Sequence, residues 1–349
     1  MSDVTKGIQM EKAQDIRRRL EAYLKVKFPQ REGLSVVEMD QLTAGVSREN
    51  YLVTVSWREA QRPVSESLII QVELGFGDSV LVEMEPREFG PQYEVLKRVY
   101  GTGIPVPKVY CVEMDSEVLG HPFCVMEKIE GEVLGEGYYF NHPEYLTQLV
   151  KDYVEILAKI HALDWQTLGL SFLGVPEMDY QRLETAIAGF QRVAEDNQYS
   201  PQPVMAELLT WLKKNIPQFE RITLCHGDYH LRNVLARDGR IVALLDWESV
   251  HLGDPMSDLG WSCMFLKIGY EGFCDETEFL QAYEEMAGVK VDRERLLFWQ
   301  IVAAVGLITV GLAGLKTGIE SKDPDMRQLW IWPLVLPRVG DAAARLLGF

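Results

Sequence analysis

The chain has 349 residues, of which 47% are hydrophobic, 25% charged and 10% aromatic. This is the composition of a folded globular protein, and the length favours two domains over a single small core. Its 35 basic and 52 acidic residues leave a formal net charge of -17, and no block of Lys or Arg reverses it locally. Nucleic acid is therefore not an expected partner, because its phosphates carry the same sign of charge.

The number and spacing of the cysteines and the N-terminal sequence indicate the expected cellular compartment. The five cysteines form an odd number and include no CxxC pair, so neither a disulfide framework nor a zinc knuckle is indicated. Residues 1–24 are charged throughout and lack an apolar stretch of signal-peptide length. They predict an amphipathic helix, and the expected location is the reducing cytoplasm.

The first third of the chain has the pattern of an antiparallel sheet. From Val36 to Val72, β-branched residues alternate with polar ones and turn residues separate the runs, which predicts a sheet that begins with a hairpin. A helix is expected at 88–100, before two prolines in GTGIPVPKV force extended chain. Further strands are expected at 109–113 and 123–129.

Helical spacing dominates after residue 131. Apolar residues recur at the helical period in 145–163, 180–195 and 205–214. We therefore predict an α+β fold of two lobes with a cleft between them. An N-terminal antiparallel sheet lobe would cover residues 1–130, and a larger helical C-terminal lobe would cover residues 131–349.

One segment, 296–315, is almost wholly apolar and close to the roughly 20 residues that span a bilayer. Gln300 and Thr309 interrupt it, and its three glycines suit close packing against other helices. A buried core helix is therefore preferred to a membrane span, and no membrane partner is expected.

The most informative stretch runs from Ile222 to Trp261. In it, Asp228 of the run HGDYHLRN is followed by Asn233 five residues later and by Asp246 eighteen residues later. The intervening NVLARDGRIVALLDWE predicts a hairpin with Asp-Gly at its turn. This hairpin would return Asp246 beside Asn233.

The spacing of these three residues suits phosphoryl transfer. One carboxylate must orient the attacking hydroxyl and accept its proton, and oxygen ligands must hold the magnesium that bridges the phosphates. Protein kinases use an Asp, an Asn five residues later and a second Asp after a short hairpin. Asp228, Asn233 and Asp246 can fill these three places.

The segment resembles the aminoglycoside phosphotransferase family of kinase-like small-molecule kinases, which also includes choline and homoserine kinases. HGDYHLRN, LLDWE and GDPMSDLGW carry the resemblance most specifically, and it extends over most of the chain. With LAKIHALD, GTGIPVP and VMEKIEGEV, the chain is most similar to the phosphotransferase branch found fused to acyl-CoA dehydrogenases. The resemblance implies a protein-kinase-like fold, with nucleotide binding in the N-terminal lobe and the substrate pocket in the helical lobe.

The resemblance also implies an activity, which is transfer of a phosphoryl group from ATP or GTP, with Mg²⁺, to a hydroxyl of a small molecule. Asp228 would be the catalytic base, and Asn233 and Asp246 would be the metal ligands. Asp254 and Asp258 would brace the catalytic segment from within the helical lobe.

Other residues implied by the resemblance hold the nucleotide. The loop of the first hairpin would cover the phosphates, one strand would meet them, and the linker after the sheet would meet the adenine. These residues are Ala44, Gly45, Ser47, Gln71, Met126, Glu127, Lys128 and Ile129. For His226, the resemblance implies a structural hydrogen-bonding role.

The sequence departs from this family on the strand SLIIQVEL. Gln71 stands where the family carries Lys or Arg, and Gln92 stands where the partner Glu is found. Two amides can hydrogen-bond to each other and keep the helix docked, but they supply no positive charge. Glu88 would be the acid if the register differs by one helical turn, and the loop residue Arg48 could offset part of the lost charge or face solvent.

Two other functions stay open. The chain could be a kinase-like protein that binds a nucleotide or metabolite without transfer. It could also be a metal-dependent hydrolase, because His226, Asp228 and His230 alternate along one strand as metal ligands do. His161 is expected to be a satisfied core histidine.

The acceptor is not specified by one pattern. The acidic composition favours a cation such as an aminosugar. The aromatic runs YYF at 138–140 and WIW at 330–332 suit a flatter, more apolar alcohol, although such runs are more often core packing. A hydroxyacyl or macrolide-like acceptor stays open as well.

Overall fold

The computed structural model describes residues 3–42, 48–73, 89–175, 180–199, 201–218, 221–320 and 326–348, and their side chains except at 3–13, 136, 180–182 and 327–328. Within these ranges the chain forms two units. The first takes in the described parts of 1–77, 88–100 and 107–129, and the second takes in 101–106 and the described parts of 130–349. The domain boundary at residue 130 stays a prediction.

The first unit is an antiparallel sheet with helices at its edge and on one face. Its described elements are α1 (Asp3–Lys27), β1 (Glu32–Leu42), β2 (Arg48–Glu59), β3 (Arg62–Glu73), α2 (Pro91–Val99), β4 (Val109–Glu113) and β5 (Phe123–Glu127). The strand order is β1-β2-β3-β5-β4. The predicted antiparallel sheet that begins with a hairpin is confirmed, since β1 pairs antiparallel with β2.

One face of this sheet is hydrophobic because apolar residues occupy every second position of its central strands. Leu68 and Ile70 of β3 are both 0% exposed, and alternate residues of a strand point to the same side. Helix α1 contributes Leu20 and Leu24 to the same core. Burying each such side chain contributes roughly 1.5–3 kcal/mol, so this face holds α1 to the sheet.

The opposite side of the sheet, here called the polar face, carries Arg48, Asn50, Gln71 and Glu73. Arg48 lies directly opposite Glu73 in the register of β2 and β3, and Asn50 lies opposite Gln71. Directly opposed residues of an antiparallel pair project to the same side, as do residues two apart on one strand. The four polar side chains therefore share one region of the sheet.

The second unit is mainly helical. Its described helices and strands are β6 (Glu132–Val133), α3 (Glu136–Asn141), α4 (Leu146–Ala162), α5 (Tyr180–Asn197), α6 (Pro203–Lys214), β7 (Thr223–Cys225), β8 (Val234–Arg237), β9 (Arg240–Leu244), β10 (His251–Gly253), α7 (Met256–Ile268), α8 (Glu276–Ala287), α9 (Arg293–Glu320) and α10 (Met326–Leu346). The helices predicted at 145–163, 180–195 and 205–214 are α4, α5 and α6.

Helix α9 runs through the core of this unit. By length and composition it could cross a membrane, but 78% of its most apolar 18-residue window is buried inside the protein. It packs against α5, α6, α7 and α10. Gly260 of α7 allows a close approach, since a β-carbon there would lie 2.7 Å from the Trp299 carbonyl carbon. The apolar segment at 296–315 is therefore part of a core helix.

Two short sheets, β10-β7 and β6-β8-β9, position the motif residues of the second unit. β7 pairs with β10, and β8 and β9 form the predicted hairpin, with Asp238 and Gly239 at its turn. Asp152 of α4 holds this hairpin, because its carboxylate accepts from Arg240 Nε at 2.8 Å and from the Ile241 N–H at 3.1 Å. Helix α4 thus holds the hairpin next to its turn.

Candidate active site

Asp228 lies in the loop after β7, and both of its carboxylate oxygens accept hydrogen bonds. Asn233 Nδ2 donates to Oδ2 at 2.7 Å, and Trp261 Nε1 donates to Oδ1 at 2.8 Å. His230 Nε2 lies 3.3 Å from the same Oδ1, and the Asp228 side chain is 23% exposed. The carboxylate is therefore held in one orientation and still reaches solvent.

The hairpin returns Asp246 to the neighbourhood of Asn233, which directly precedes β8. The Leu245 N–H donates to the Asn233 carbonyl at 2.7 Å, which continues the pairing beyond β9. Asp246 is exposed and has left-handed backbone angles, φ 60° and ψ 61°. Such angles cost a residue other than Gly about 1–3 kcal/mol and occur preferentially at functional sites.

His226 links the two halves of the motif. Its Nδ1 accepts from the Asp228 N–H at 3.2 Å, and its Nε2 lies 3.0 Å from the Leu245 carbonyl. We therefore assign the ring as neutral, with its proton on Nε2. Burial lowers the pKa of His226, which keeps this form at neutral pH. The ring ties the backbone of Asp228 to the residue before Asp246, which is a structural role.

The loop of residues 226–228 is fixed from α7. The fully buried Asp258 accepts from the N–H groups of His226 and Gly227, each at 2.7 Å. Gly227 has φ 82°, and a β-carbon there would collide with the Ser249 carbonyl. This close approach explains why position 227 requires Gly.

Two further predictions about the core concern His161 and Asp254. His161 is a satisfied core histidine, with Nδ1 2.7 Å from the Tyr283 hydroxyl and Nε2 3.1 Å from the Asp258 carboxylate. The Asp254 carboxylate accepts from the Met256 N–H at 3.0 Å, at the start of α7. Burial raises the pKa of the Asp254 carboxyl. His161 therefore supports the loop of residues 226–228 through Asp258, whereas the Asp254 carboxylate holds the start of α7.

His230 is packed among aromatic rings. Its imidazole stacks on Phe265 with ring centroids 4.4 Å apart, and its Nδ1 lies 2.9 Å from the Tyr270 hydroxyl. Nδ1 also accepts from the Arg232 N–H at 3.3 Å. These contacts leave Nε2 as the nitrogen that faces Asp228.

The hydrolase hypothesis finds no support in this geometry. His226 uses both ring nitrogens in the contacts just described, so it offers no lone pair to a metal. Within the described ranges, the group of His, Cys and carboxylate side chains with metal-like spacing is instead His161, Cys225 and Asp258, all buried. These three are already engaged in hydrogen bonds of the core.

The charge state of Asp228 follows from its neighbours. Burial alone would raise the pKa of its carboxyl, but the electrostatic interaction and hydrogen bond with His230, the electrostatic interaction with the His226 ring and the hydrogen bond from Asn233 outweigh it. The pKa of Asp228 is therefore below its usual range. The carboxylate is ionised at neutral pH and can accept a hydrogen bond from a hydroxyl group.

The polar face of the first unit corrects one expectation. Gln71 and Gln92 do not pair with each other. Gln71 Oε1 accepts from the Tyr93 hydroxyl at 2.8 Å, and Gln92 Oε1 accepts from Arg48 Nη1 at 3.3 Å. The amide pairing was wrong because α2 also supplies a phenol and β2 also supplies a guanidinium, and each is a stronger partner for one amide.

Arg48 is the first residue of β2 and not a loop residue. Its Nε donates to Glu73 Oε2 at 3.3 Å, and the two side chains are 10% and 9% exposed. It therefore does not face open solvent, which was one of the two expectations for it.

The remaining predicted nucleotide residues are placed as follows. Ala44, Gly45 and Ser47 lie outside the described residues, as does Glu88. Met126 and Glu127 end β5, and Lys128 and Ile129 follow it. The Glu127 N–H donates to the Lys108 carbonyl at 2.9 Å, so the role of these four residues toward a base stays a prediction.

Sequence reasoning missed Trp261 as a contact of Asp228. The signal was present in GDPMSDLGW, because Asp258 and Trp261 are three residues apart on α7 and so share one face of the helix. Asp152 and Tyr270 gave no comparable signal, because they come from distant parts of the chain.

Comparison with known proteins gives a consistent result. Residues 71–299 match the model of the phosphotransferase enzyme family. An acyl-CoA dehydrogenase family member 11 from Pongo abelii is 26% identical over 303 residues, which cover 80% of this chain and 37% of that protein. Two further relatives, from Mus musculus and Arabidopsis thaliana, are also acyl-CoA dehydrogenase family proteins. The chain spans only 37%, 16% and 31% of these three relatives.

Solved structures confirm the predicted fold. A proposed aminoglycoside phosphotransferase from Ralstonia eutropha superposes with a TM-score of 0.72 at 23% identity, covering 94% of this chain and 98% of that one. A thermostable mutant of the aminoglycoside phosphotransferase APH(4)-Ia, in ternary complex with AMP-PNP and hygromycin B, gives 0.61 at 18% identity, covering 94% and 98%. The α+β kinase-like fold expected from the sequence is therefore correct.

Proposed function

The chain belongs to the phosphotransferase enzyme family, and from this premise we propose that it transfers the γ-phosphoryl group of ATP to a hydroxyl of a small molecule. The structural relative crystallised with AMP-PNP and hygromycin B binds a nucleotide together with a small molecule, which supports this pairing of donor and acceptor. The geometry of Asp228 is the observation that carries the proposal.

Asp228 orients the acceptor and takes its proton. Its Oδ1 is held by Trp261 and His230 and its Oδ2 by Asn233, and each carboxylate oxygen can accept more than one hydrogen bond. In the transfer, the acceptor oxygen bonds to the γ-phosphorus, the bond from phosphorus to the leaving oxygen of ADP breaks, and the acceptor proton passes to Asp228.

The lowered pKa of Asp228 shapes this role. An ionised carboxylate of low pKa is a weak base toward an alcohol, so it does not remove the proton in advance. Its contribution is to fix the hydroxyl in line for attack and to receive the proton as the new bond forms.

Asn233 and Asp246 form a donor set that fits Mg²⁺. The side chain of Asn233 donates its Nδ2 hydrogen to Asp228, which leaves its Oδ1 for a metal. Asp246 adds an exposed carboxylate at the end of the hairpin, where Leu245 pairs with Asn233. Mg²⁺ prefers such oxygen ligands. When bound, it would neutralise phosphate charge, which this acidic chain is poorly equipped to do alone.

The acceptor is the least specified part of the proposal. Tyr138 and Tyr139 are core residues, whereas Phe140 and Trp330 are 60% and 75% exposed. An aminosugar-like cation and a flatter apolar alcohol are therefore both included among the acceptors to be tried.

A thermal-shift experiment tests nucleotide binding. We expect ATP with Mg²⁺ to raise the melting temperature of the wild type, and we expect Asp246→Ala to lose the part of the shift that depends on Mg²⁺. Asp341→Ala, which removes an acidic side chain from the C-terminal helix α10, is the matched control and should keep the shift. The absence of a shift with ATP or GTP would contradict any nucleotide-dependent function.

A second experiment separates an enzyme from a binding protein. ADP release is measured across a panel of aminosugars and apolar alcohols in the presence of ATP and Mg²⁺. Acceptor-dependent ADP release supports the transferase. Binding of ATP without release for any acceptor would favour the non-catalytic binding protein, for which the amides at Gln71 and Gln92 are the motivating observation.

A further inference from the structure

The position that carries a phosphate-binding cation in kinases is neutral in this chain. In protein kinases a lysine on the third strand contacts the nucleotide phosphates and pairs with a glutamate on the neighbouring helix. Here the corresponding residues are Gln71 on β3 and Gln92 on α2. Neither amide can compensate for the charge of a triphosphate, and the chain as a whole carries a net charge of -17.

A pair of opposite charges nevertheless exists on the same polar face. Its cation lies on β2, one strand away from the β3 position at which kinases carry the lysine. Arg48 of β2 donates to Glu73 of β3 at 3.3 Å, and these two residues lie opposite each other in the sheet register. Gln71 is two residues from Glu73, so Arg48 and Gln71 are diagonal neighbours. Diagonal positions on one face are within reach of a long side chain.

The Arg48 guanidinium is held in a fixed orientation. Its Nε is bound by Glu73 of β3, and its Nη1 is bound by Gln92 of α2. The strand and the helix that would hold the lysine and glutamate of a kinase therefore hold this arginine. A planar guanidinium with fixed N–H groups is well suited to phosphate oxygens.

Gln92 provides an independent observation that points to a ligand. Its side chain is 5% exposed, and its Nε2 is a buried donor with no hydrogen-bond partner among the described residues. A buried donor without an acceptor is costly. An anionic oxygen placed beside Arg48 would satisfy it, whereas a second cation would not.

Stability alone is a poor reason for this ion pair. Burying two opposite charges costs desolvation that their attraction often fails to exceed, and hydrophobic residues of similar size serve as well. Other arginines of the same hairpin, Arg58 and Arg62, lie at its far end and are exposed. Folding stability therefore does not by itself account for this buried ion pair.

We propose that Arg48 binds the phosphate groups of the nucleotide and replaces the missing cation at position 71, with the Gln92 amide as a second donor. This assignment rests on the proposed function. In this chain the phosphate-binding cation would be an arginine on the second strand instead of a lysine on the third. A carboxylate, that of Glu73, would still hold the cation in place.

Isothermal titration of ATP with Mg²⁺, and separately of adenosine, tests the assignment. We expect Arg48→Ala to weaken ATP binding by about tenfold to a hundredfold, because a charge-assisted contact is lost. Adenosine binding should change by less than about twofold, since adenosine has no phosphate. The matched control Arg58→Ala removes the same charge from the same strand and should leave both affinities unchanged.

Arg48→Ala leaves Glu73 buried without its partner and could unfold the chain. The double variant Arg48→Gln with Glu73→Gln removes both charges and keeps hydrogen-bonding groups, and it should show the same selective loss of ATP affinity. A third variant adds Gln71→Lys to Arg48→Ala. It should regain most of the lost affinity, because the two positions serve the same phosphates.

The outcomes distinguish the assignment from the proposed function. If the wild type prefers ATP to adenosine and the double variant retains that preference, the assignment of Arg48 is wrong while the function stands. If Gln71→Lys restores nothing, the claim that the two positions share one site is wrong. If the wild type binds ATP no better than adenosine, the proposed function fails and the assignment fails with it.

Discussion

The loop and hairpin around Asp228 in the second unit follow the kinase pattern, whereas the polar face in the first unit departs from it. Around Asp228, the expected Asp, Asn and Asp are present, and the Asp228 carboxylate is held by Asn233 and Trp261. On the polar face, the expected lysine and glutamate are both amides, and the charged pair is Arg48 with Glu73. On the proposed assignment of Arg48, the chain keeps the arrangement of the site and moves its positive charge to a neighbouring strand.

The physical reason lies in what each region must do. The Asp228 carboxylate has to meet the hydroxyl oxygen of the substrate from one direction. A displacement of about 1 Å lowers the rate of transfer strongly. A phosphate group presents several oxygens, so a cation can approach it from more than one position. The region around Asp228 therefore tolerates little change, whereas the polar face can be rearranged.

The largest expected effect concerns Gly227. Gly227→Ala places a β-carbon against the Ser249 carbonyl at a residue with φ 82°. We expect a loss of roughly 2–4 kcal/mol in the free energy of unfolding, measured in urea. The matched control is Gly174→Ala, where φ is 78° but nothing lies within 4 Å, and it should cost about 1–2 kcal/mol. Equal losses would mean that the close approach at Gly227 is unimportant.

Asp258 gives the next largest effect, and it depends on pH. Asp258→Asn removes a charged acceptor from the N–H groups of His226 and Gly227, and we expect a loss of about 2 kcal/mol at neutral pH. Burial alone would raise the pKa of the Asp258 carboxyl, but the hydrogen bond from His161 and the electrostatic interactions with the rings of His161, His226 and His251 outweigh it, so the pKa is lowered.

The direction of the pH dependence follows from that shift. Because the folded pKa is below the unfolded one, the stabilisation is complete above the unfolded pKa and disappears as the pH falls through the folded pKa. The difference between wild type and Asp258→Asn should therefore shrink on acidification. Asp254→Asn is the control of opposite sign, since burial raises the pKa of Asp254. A pH-independent difference for Asp258→Asn would contradict the assignment.

Trp261 should have a smaller effect, confined to turnover. Trp261→Phe removes the donor to Asp228 Oδ1 at 2.8 Å and keeps an aromatic ring against Phe265. We expect kcat to fall by about tenfold, with little change in KM for ATP. Trp299→Phe removes a similar donor from Asp254 and should change stability without changing kcat. Equal kcat values in the two variants would show that Trp261 does not position the carboxylate.

The smallest effect is expected at Gln71. Gln71→Ala removes one neutral hydrogen bond with Tyr93, and ATP affinity should change by no more than about threefold. Titration calorimetry measures it beside Arg48→Ala. A loss at Gln71 as large as the loss at Arg48 would place the phosphate contact at the amide and remove the contrast between the two regions.

Sequence alone predicted the region around Asp228 well because its contacts are local. Asp228, Asn233 and Asp246 lie within one loop and one hairpin. Once the Asp-Gly turn is recognised, their spacing therefore predicts that they lie near one another. The core role of His161 was also predictable, since a histidine on the buried face of a helix needs polar partners.

The polar face could not be predicted in the same way. The partners of Gln71 and Gln92 depend on the register of β2 against β3 and on the rotation of α2, and neither is written in residue spacing. Asp152 and Tyr270 were missed for a related reason, because they come from parts of the chain that are distant in sequence from their partners. The hydrogen bonds of such residues follow from packing, which a local pattern does not encode.

Turnover by Asp228→Asn is the most direct test of the central claim that Asp228 carries the transfer. ADP release with the best acceptor of the panel and ATP affinity by titration are measured on the same preparations. We expect turnover to fall by about 10²–10⁴-fold while ATP affinity stays within a few fold of the wild type. Turnover near the wild-type rate in a variant that binds ATP normally would contradict the claim.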